Sequence, residues 1–154
     1  GYATVTGHHT PLHDYLPGQE STSKCVNWLI NKKVPAKKLI IGAAMYARVW
    51  ENVPNNNNGL YQDGKFKQGL SYSLFTKFFS DTAGFKYYWD SDAKAPYYYS
   101  ATKKLFATFD DKRSIQEKTG YIRNKKLGGI MFWELPDDLK KDGLVDEMSR
   151  GLKN

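Results

Sequence analysis

The sequence predicts an α/β fold in which two buried parallel strands frame a small α+β segment. Three observations lead there. Two short apolar runs, Leu39 to Met45 and Leu127 to Leu135, have the length and continuity of strands buried on both faces. Each follows a helical pattern, the first through a Pro-containing turn and the second through a Gly pair, which is the αβ half of a repeating α/β unit. Between them lie three short stretches rich in β-formers and separated by turn residues.

The elements follow in order. Residues 1–19 read as loop, punctuated by Gly7, Pro11, Pro17 and Gly18. Ser21 caps a helix running to about Lys33, with Cys25, Val26, Trp28, Leu29 and Ile30 as its apolar face, and Val34-Pro35 ends it. Cys25 sits within that apolar pattern and is expected to be a buried thiol. After the first buried strand, Tyr46, Arg48 and Trp50 alternate and share one side if the chain stays extended. Asn55 to Asn58 with Gly59 reads as a surface turn. Ser71 to Phe79 reads as a short helix, and Phe85 to Trp89, Pro96 to Ser100 and Leu105 to Phe109 as strands. Asp110 or Asp111 caps a helix to about Lys126, Leu127 to Leu135 is the second buried strand, and Gly143 to Leu152 closes the chain as a helix.

Composition narrows the function. At 154 residues the chain is about one domain long. Its 11 Tyr, 8 Phe and 4 Trp supply flat apolar faces for a core or a ligand platform. The net charge of +7 comes from basic residues interrupted by Asp110, Asp111 and Glu117, the pattern of a solvated surface. Nucleic acid is not expected, because the aromatics are not interleaved with a coherent basic track. The single cysteine excludes an internal disulfide and a cysteine-cluster metal site. His8, His9 and His13 lack metal-type spacing, and neither a phosphate-binding Gly-rich loop nor a nucleophile elbow occurs, so no cofactor or metal is expected. No run approaches the roughly 18–20 apolar residues that span a membrane. No signal peptide is visible, and an opening at Gly1 without Met suggests a mature product or a fragment.

Two kinds of chemistry remain. Glu134, Asp137 and Asp138 cluster after the second strand. Glu134 could serve as an acid, against the commoner roles of pairing with a cation or capping the loop. Asp90 and Asp92 lie where turn chemistry is the default, and no carboxylate pair is placed clearly enough to assign an acid and a nucleophile. The stronger signal is aromatic. Tyr46 and Arg48 follow one strand, and Trp133 ends the other. Tyr and Arg donate hydrogen bonds to hydroxyl or amide oxygens, and Trp offers a face to the C–H groups of a sugar. Core packing is the alternative for each residue taken singly.

Five segments in order make the sequence recognisable: Val5-Thr6-Gly7-His8-His9-Thr10-Pro11-Leu12, Val34-Pro35-Ala36-Lys37-Lys38-Leu39-Ile40-Ile41-Gly42, Met45-Tyr46-Ala47-Arg48, Tyr88-Trp89-Asp90-Ser91-Asp92-Ala93-Lys94-Ala95-Pro96-Tyr97, and Gly128-Gly129-Ile130-Met131-Phe132-Trp133-Glu134. Together they resemble the C-terminal part of a family 18 glycoside hydrolase, the chitinase family. The resemblance implies the C-terminal portion of a (β/α)8 TIM barrel, formed by residues 1–49 and 110–154. An α+β insertion, residues 50–109, would lie between the last two barrel strands.

It also implies cleavage of β-1,4-linked N-acetylglucosamine polymers with retention, the substrate's own acetamido oxygen acting as nucleophile. The family's acid is a Glu ending a DxxDxDxE motif, absent from this chain, as is the Met-x-Tyr-Asp motif of the preceding strand. By resemblance Trp133 lies under the sugar at the cleavage subsite and Tyr46 and Arg48 contact sugar near it. Trp50, Trp89, Asp90 and Tyr97 belong to the groove wall or to the core of the insertion. The sequence departs from the family at Ala44, where Pro is usual, and at Ala47, where Gly is usual. The implied partners are chitin or chitooligosaccharide, and the missing N-terminal barrel part or another chain covering the open barrel. The implied location is secreted or cell-envelope. The isolated chain is expected to be inactive, and a non-catalytic chitooligosaccharide-binding lectin is the alternative.

Overall fold

The first helix, α1 (Thr22–Asn31), begins where Ser21 Oγ accepts the Lys24 N–H at 3.2 Å, satisfying one of the donors a helix start leaves free. The structure, a computed structural model, describes residues 2–16 and 19–153, so the loop punctuation at Pro17 and Gly18 lies outside the described residues. Cys25 is exposed, which corrects the expectation of a buried thiol. The apolar run covers a wider arc than the core can use. Val26 and Ile30, four apart, turn inward, whereas Cys25 and Trp28, three apart, share the outward face.

Strand β1 (Ile40–Ala44) pairs in parallel with the last strand, β7 (Gly129–Trp133), in register from Ile40↔Gly129 to Ala44↔Trp133. Gly128 enters this pair so closely that a Cβ there would lie 2.4 Å from the Lys37 carbonyl oxygen, and its N–H donates to Leu39 O at 2.8 Å. One face of the pair is covered. Ile41 and Ile130 pack with Leu12, Val26, Tyr121 and Ile122, and Ala43 and Phe132 with Met45, Ile115, Leu144 and Met148. The other face is open: Ile40 is 60 %, Met131 52 % and Trp133 63 % exposed. Among the described residues no third strand joins either edge.

The covering helices are α3 (Lys112–Lys125) and α4 (Leu144–Lys153). Asp111 caps α3 reciprocally: its Oδ1 accepts the Ser114 N–H at 2.8 Å while Ser114 Oγ accepts the Asp111 N–H at 2.9 Å. Asp138 does similar service for α4, its carboxylate accepting the N–H groups of Leu144 and Val145, each at 2.9 Å.

Between β1 and α3 the chain builds a five-stranded antiparallel sheet in the order β3-β2-β6-β5-β4. Its strands are β2 (Tyr46–Glu51), β3 (Lys65–Ser71), β4 (Lys86–Asp90), β5 (Ala95–Ser100) and β6 (Leu105–Thr108). Period-two alternation sends Ala47, Val49, Ala107 and Phe109 to one face with Phe75, Phe79 and Phe85. Trp50, Tyr97, Tyr99 and Phe106 go to the other with Val53 and Leu60. The Asn turn ends at Gly59, whose φ of +77° and a Cβ position 2.3 Å from the Tyr99 ring leave room for glycine alone.

Two features differ from expectation. Ser71 to Phe79 is not one helix: Ser71 ends β3 opposite Tyr46, the Tyr72 N–H is drawn to Met45 O at 2.9 Å, and only Phe75–Phe78 forms an α-helix, α2. Strand β3 was not expected, since Lys65, Lys67, Gln68 and Gly69 weaken its apolar signal. It is an edge strand, where lysines discourage further pairing. The sheet also takes in Tyr46 to Val49, which the sequence grouped with residues 1–49.

Candidate functional site

The two sheets meet at Met45. Its N–H donates to Trp133 O and its carbonyl accepts from the Tyr72 N–H, both at 2.9 Å. The chain therefore leaves the parallel pair and enters β2 while still tied to Trp133. Tyr46 and Arg48 lie on one face of β2, both half-buried, and with Trp133 they line a cleft of about 290 Å³. Tyr2, Phe66 and Asp137 complete its walls. The peptide after Trp133 is cis. Ala47 lies between the two site residues in ordinary extended backbone with its Cβ in the core. It is not among the residues with positive φ, so the methyl group is accommodated where the family usually has Gly.

The cleft is polar at its rim. Ser71 Oγ donates to Asp137 Oδ1 at 2.5 Å. The Arg48 guanidinium lies 5.6 Å from the centre of the Tyr2 ring, which in turn stacks on Phe66 at 3.5 Å. Glu134 is exposed, makes no capping bond and has no ion pair among the described residues, which corrects both roles favoured for it. Asp138 caps α4. Asp92 is exposed in a turn.

Behind Tyr46 stands His9, a residue the sequence weighed only as a metal ligand. Its ring stacks on Tyr46 at 5.6 Å and 10°, and its backbone N–H donates to Thr108 Oγ1 at 3.3 Å. The residue is only half-buried, but both ring nitrogens are sealed from solvent and unpartnered among the described residues. Burial holds its pKa down at about 3. Asp110 opposes that shift, while Arg48 and Lys118 add to it. His9 is thus a neutral imidazole near neutral pH.

The other four candidates do not line this cleft. Trp50 is buried, donates from Nε1 to Ala3 O at 2.9 Å and packs edge-on against Phe66 and Phe106. Trp89 lies under the Arg113 guanidinium at 3.9 Å. Tyr97 is buried and stacks on Tyr88 at 5.0 Å. Asp90 organises a turn, accepting the N–H groups of Asp92 and Ala93 at 2.9 Å, and pairs with His8 Nε2 at 3.0 Å. The His8 hydrogen bond holds its carboxyl down at about 2, against a burial effect in the other direction. A second cavity of about 380 Å³ lies on the other side of Arg48, lined by His8, His9, Tyr15, Arg48, Trp50 and Tyr61 among others. Among the described residues no three His, Cys, Asp or Glu side chains converge as metal ligands.

Comparison with known proteins bears on this site. The profile of Glycosyl hydrolases family 18 matches residues 1–138. Chitinase A1 of Niallia circulans is 39 % identical over 117 residues, which are 70 % of this chain and 17 % of that protein. Chitinase B of Serratia marcescens is 27 % identical over 146 residues, 79 % of this chain and 29 % of its own length. The structure of a family 18 N-acetylglucosaminidase from Paenibacillus barengoltzii superposes with a TM-score of 0.88 at 37 % identity. It covers 99 % of this chain and 45 % of the enzyme's. The cell-surface-expressed chitinase ChiW of Paenibacillus sp. str. FPU-7 superposes with a TM-score of 0.90 at 32 % identity, over 99 % of this chain and 18 % of that one. The chain thus spans less than half the length of each of these proteins.

Proposed function

The chain belongs to glycosyl hydrolase family 18, and from that premise we propose that it is the C-terminal, substrate-groove portion of a chitinase-type enzyme. The observation that carries this is the convergence of Tyr46, Arg48 and Trp133 on one cleft, from two different sheets. Trp133 presents its exposed face as the floor for an N-acetylglucosamine ring. The Tyr46 hydroxyl and the Arg48 guanidinium donate hydrogen bonds to its oxygens, and His9 backs Tyr46. Trp50, Trp89, Asp90 and Tyr97 support the wall rather than touch this sugar.

The parallel pair is read as the last two strands of a (β/α)8 barrel. Its unpaired edges and its open face at Ile40, Met131 and Trp133 support that, since closure of a barrel would pair and cover them. The antiparallel sheet is the insertion between those strands, and the missing barrel part lies outside this chain. Hydrolysis is substrate-assisted and retaining, the acetamido oxygen attacking the anomeric carbon while an acid protonates the leaving oxygen. That acid lies outside this chain: Asp137 is the cleft's carboxylate among the described residues, and it is engaged by Ser71. The named relatives favour an enzyme over a lectin. ChiW, being cell-surface-expressed, fits an extracellular setting.

The test is a fluorogenic chitobioside assay on the 154-residue chain and on the same residues preceded by their natural upstream sequence. We expect turnover from the longer polypeptide alone, abolished when a Glu ending an upstream DxxDxDxE motif is changed to Gln. Turnover by the 154-residue chain, or a longer polypeptide that binds chitooligosaccharide with no such Glu, overturns the assignment, the latter in favour of the lectin.

A further inference from the structure

Basic and acidic residues that alternate in the sequence are sorted apart by the fold. Helix α3 opens on Asp111 and closes on Arg123, Lys125 and Lys126, so its 14 residues hold the two signs about 21 Å apart. Helix α1 is followed by Lys32 and Lys33, and the short turn after it adds Lys37 and Lys38. These ends adjoin. Gly128 packs against the Lys37 carbonyl and donates its N–H to Leu39 O at 2.8 Å, which sets the turn beside the end of α3. Arg123 Nη1 donates to the Gly151 carbonyl, which brings Lys153 at the end of α4 alongside. All these cations are exposed, and none forms an ion pair among the described residues.

The segments that reach this end of the molecule carry no counter-charge. No acidic residue occurs between Glu20 and Glu51, between Glu117 and Glu134, or after Glu147. A cation in the last turn of a helix offsets the carbonyl end of its dipole, which explains part of the pattern. It does not explain Lys37 and Lys38, which lie beyond α1, or the gathering of three helix ends and a turn into one acid-free band. Neighbouring cations closer than a Debye length, about 10 Å at 0.1 M salt, reinforce one another's field. The band lies where β1 and β7 begin. Trp133 ends β7, one strand length or roughly 15 Å away. Further barrel strands would pair beside β1 and β7 and leave this end open.

The cation type selects the partner. Planar carboxylates are gripped best by the arginine fork. All but Arg123 here are lysines, compact charges on flexible stems that meet a tetrahedral phosphate from any side. Stacked bases or a lipid surface would call for open aromatic faces among the cations. Trp28, an exposed aromatic nearby, instead has the Lys32 ammonium 5.8 Å from its ring centre.

We infer that this basic end is a docking surface for a linear glycopolymer whose units are joined by phosphodiesters. It holds the protein by the end opposite the cleft and leaves the cleft free. The inference goes beyond the proposed function, and nothing in it requires a sugar over Trp133.

The test is fluorescence anisotropy of the 154-residue chain with labelled poly(glycerol phosphate) of about ten units, between about 50 and 200 mM salt. We expect saturable binding whose logarithm falls against log salt with a slope of about −3 or steeper. Lys37→Gln/Lys38→Gln and Lys125→Gln/Lys126→Gln should each weaken binding about tenfold and flatten the slope by about one. Lys77→Gln/Lys86→Gln removes the same net charge from exposed positions on the antiparallel segment and should change affinity less than about twofold. Equal losses in all three variants would mean that net charge alone attracts the polymer, and would overturn the surface. Absence of binding at about 50 mM salt would overturn it as well. So would tighter binding to a single-stranded oligonucleotide of equal phosphate number, or to phosphatidylglycerol vesicles at equal phosphate, in favour of those partners. Far-UV circular dichroism confirms that each variant is folded. No arm uses a chitooligosaccharide, so any of these failures leaves the sugar cleft as it stands.

Discussion

Lys118 Nζ donates to both carboxylate oxygens of Asp110, at 2.6 and 2.7 Å, in a place where neither side chain is open to solvent. Asp110 Oδ2 also accepts the Ala44 N–H at 3.0 Å and Oδ1 accepts Ser114 Oγ–H at 2.7 Å. One carboxylate thus joins the end of β1 to the start of α3. Breaking a buried pair strands the surviving charge, whereas removing both partners costs far less. Lys118→Met should therefore lower unfolding free energy by about 3–5 kcal/mol in urea melts. The double variant Asp110→Leu/Lys118→Met should recover a substantial part. A single variant losing less than about 1 kcal/mol would mean that the pair is already solvated.

His9 should make the chain acid-sensitive. Its folded pKa of about 3 lies below the unfolded value of 6.5, so between those limits the unfolded state binds a proton that the folded state refuses. Its contribution is complete above pH 6.5 and disappears as pH falls toward 3, at about 1.4 kcal/mol per pH unit. Urea melts at pH 7, 5.5 and 4.5 should show His9→Asn flatter than the parent by most of that slope. Parallel profiles for the two proteins would refute the assignment.

Trp133 is 63 % exposed, so its removal should cost ligand and not fold. Trp133→Ala is expected to keep its unfolding free energy within about 0.5 kcal/mol of the parent. Binding of chitobiose should weaken at least tenfold, about 1.4 kcal/mol. A large stability loss would show that the indole is part of the core.

Gly128 tests the approach of the parallel pair. Any side chain there meets the Lys37 carbonyl oxygen at 2.4 Å, and the obstacle is backbone, which cannot rotate away. Gly128→Ala should cost about 1–3 kcal/mol by overpacking, read as a lowered midpoint in thermal unfolding. The neighbouring Gly42, whose Cβ position meets nothing within 4 Å, should tolerate Ala and serves as the control.

Much of this was legible because strong local signals agree with the packing. The helices α1, α3 and α4 and the strands β1, β4, β5, β6 and β7 fall within a residue or two of where periodicity and capping residues put them. Tyr46, Arg48 and Trp133 were legible as a group because the first two follow one readable strand and the third ends the other. The rest depended on contacts that a one-dimensional pattern does not carry. Cys25 has the same local surroundings as Val26, and only the direction of the helix face separates them. Strand β3 has too few apolar residues to announce itself, since its pairing with β2 supplies what its side chains lack. Trp50 alternates properly with Tyr46 and Arg48, yet the register shift between Val49 and Trp50 and the bond to Ala3 carry its indole into the core. The role of His9 depends on stacking against a residue distant in sequence.

The junction at Met45 carries a last consequence. Its side chain is wholly buried, and its N–H and carbonyl are both held, one by each neighbouring strand end. Nothing at that joint is free to pivot, so the two sides of the cleft sit at a fixed spacing. A sugar chain bound as proposed would meet a cleft already set to its width, and little of its binding energy would be spent on closing it. Changes in the width of the groove across relatives should then arise in the loops that edge it, with the joint itself left as a fixed mount.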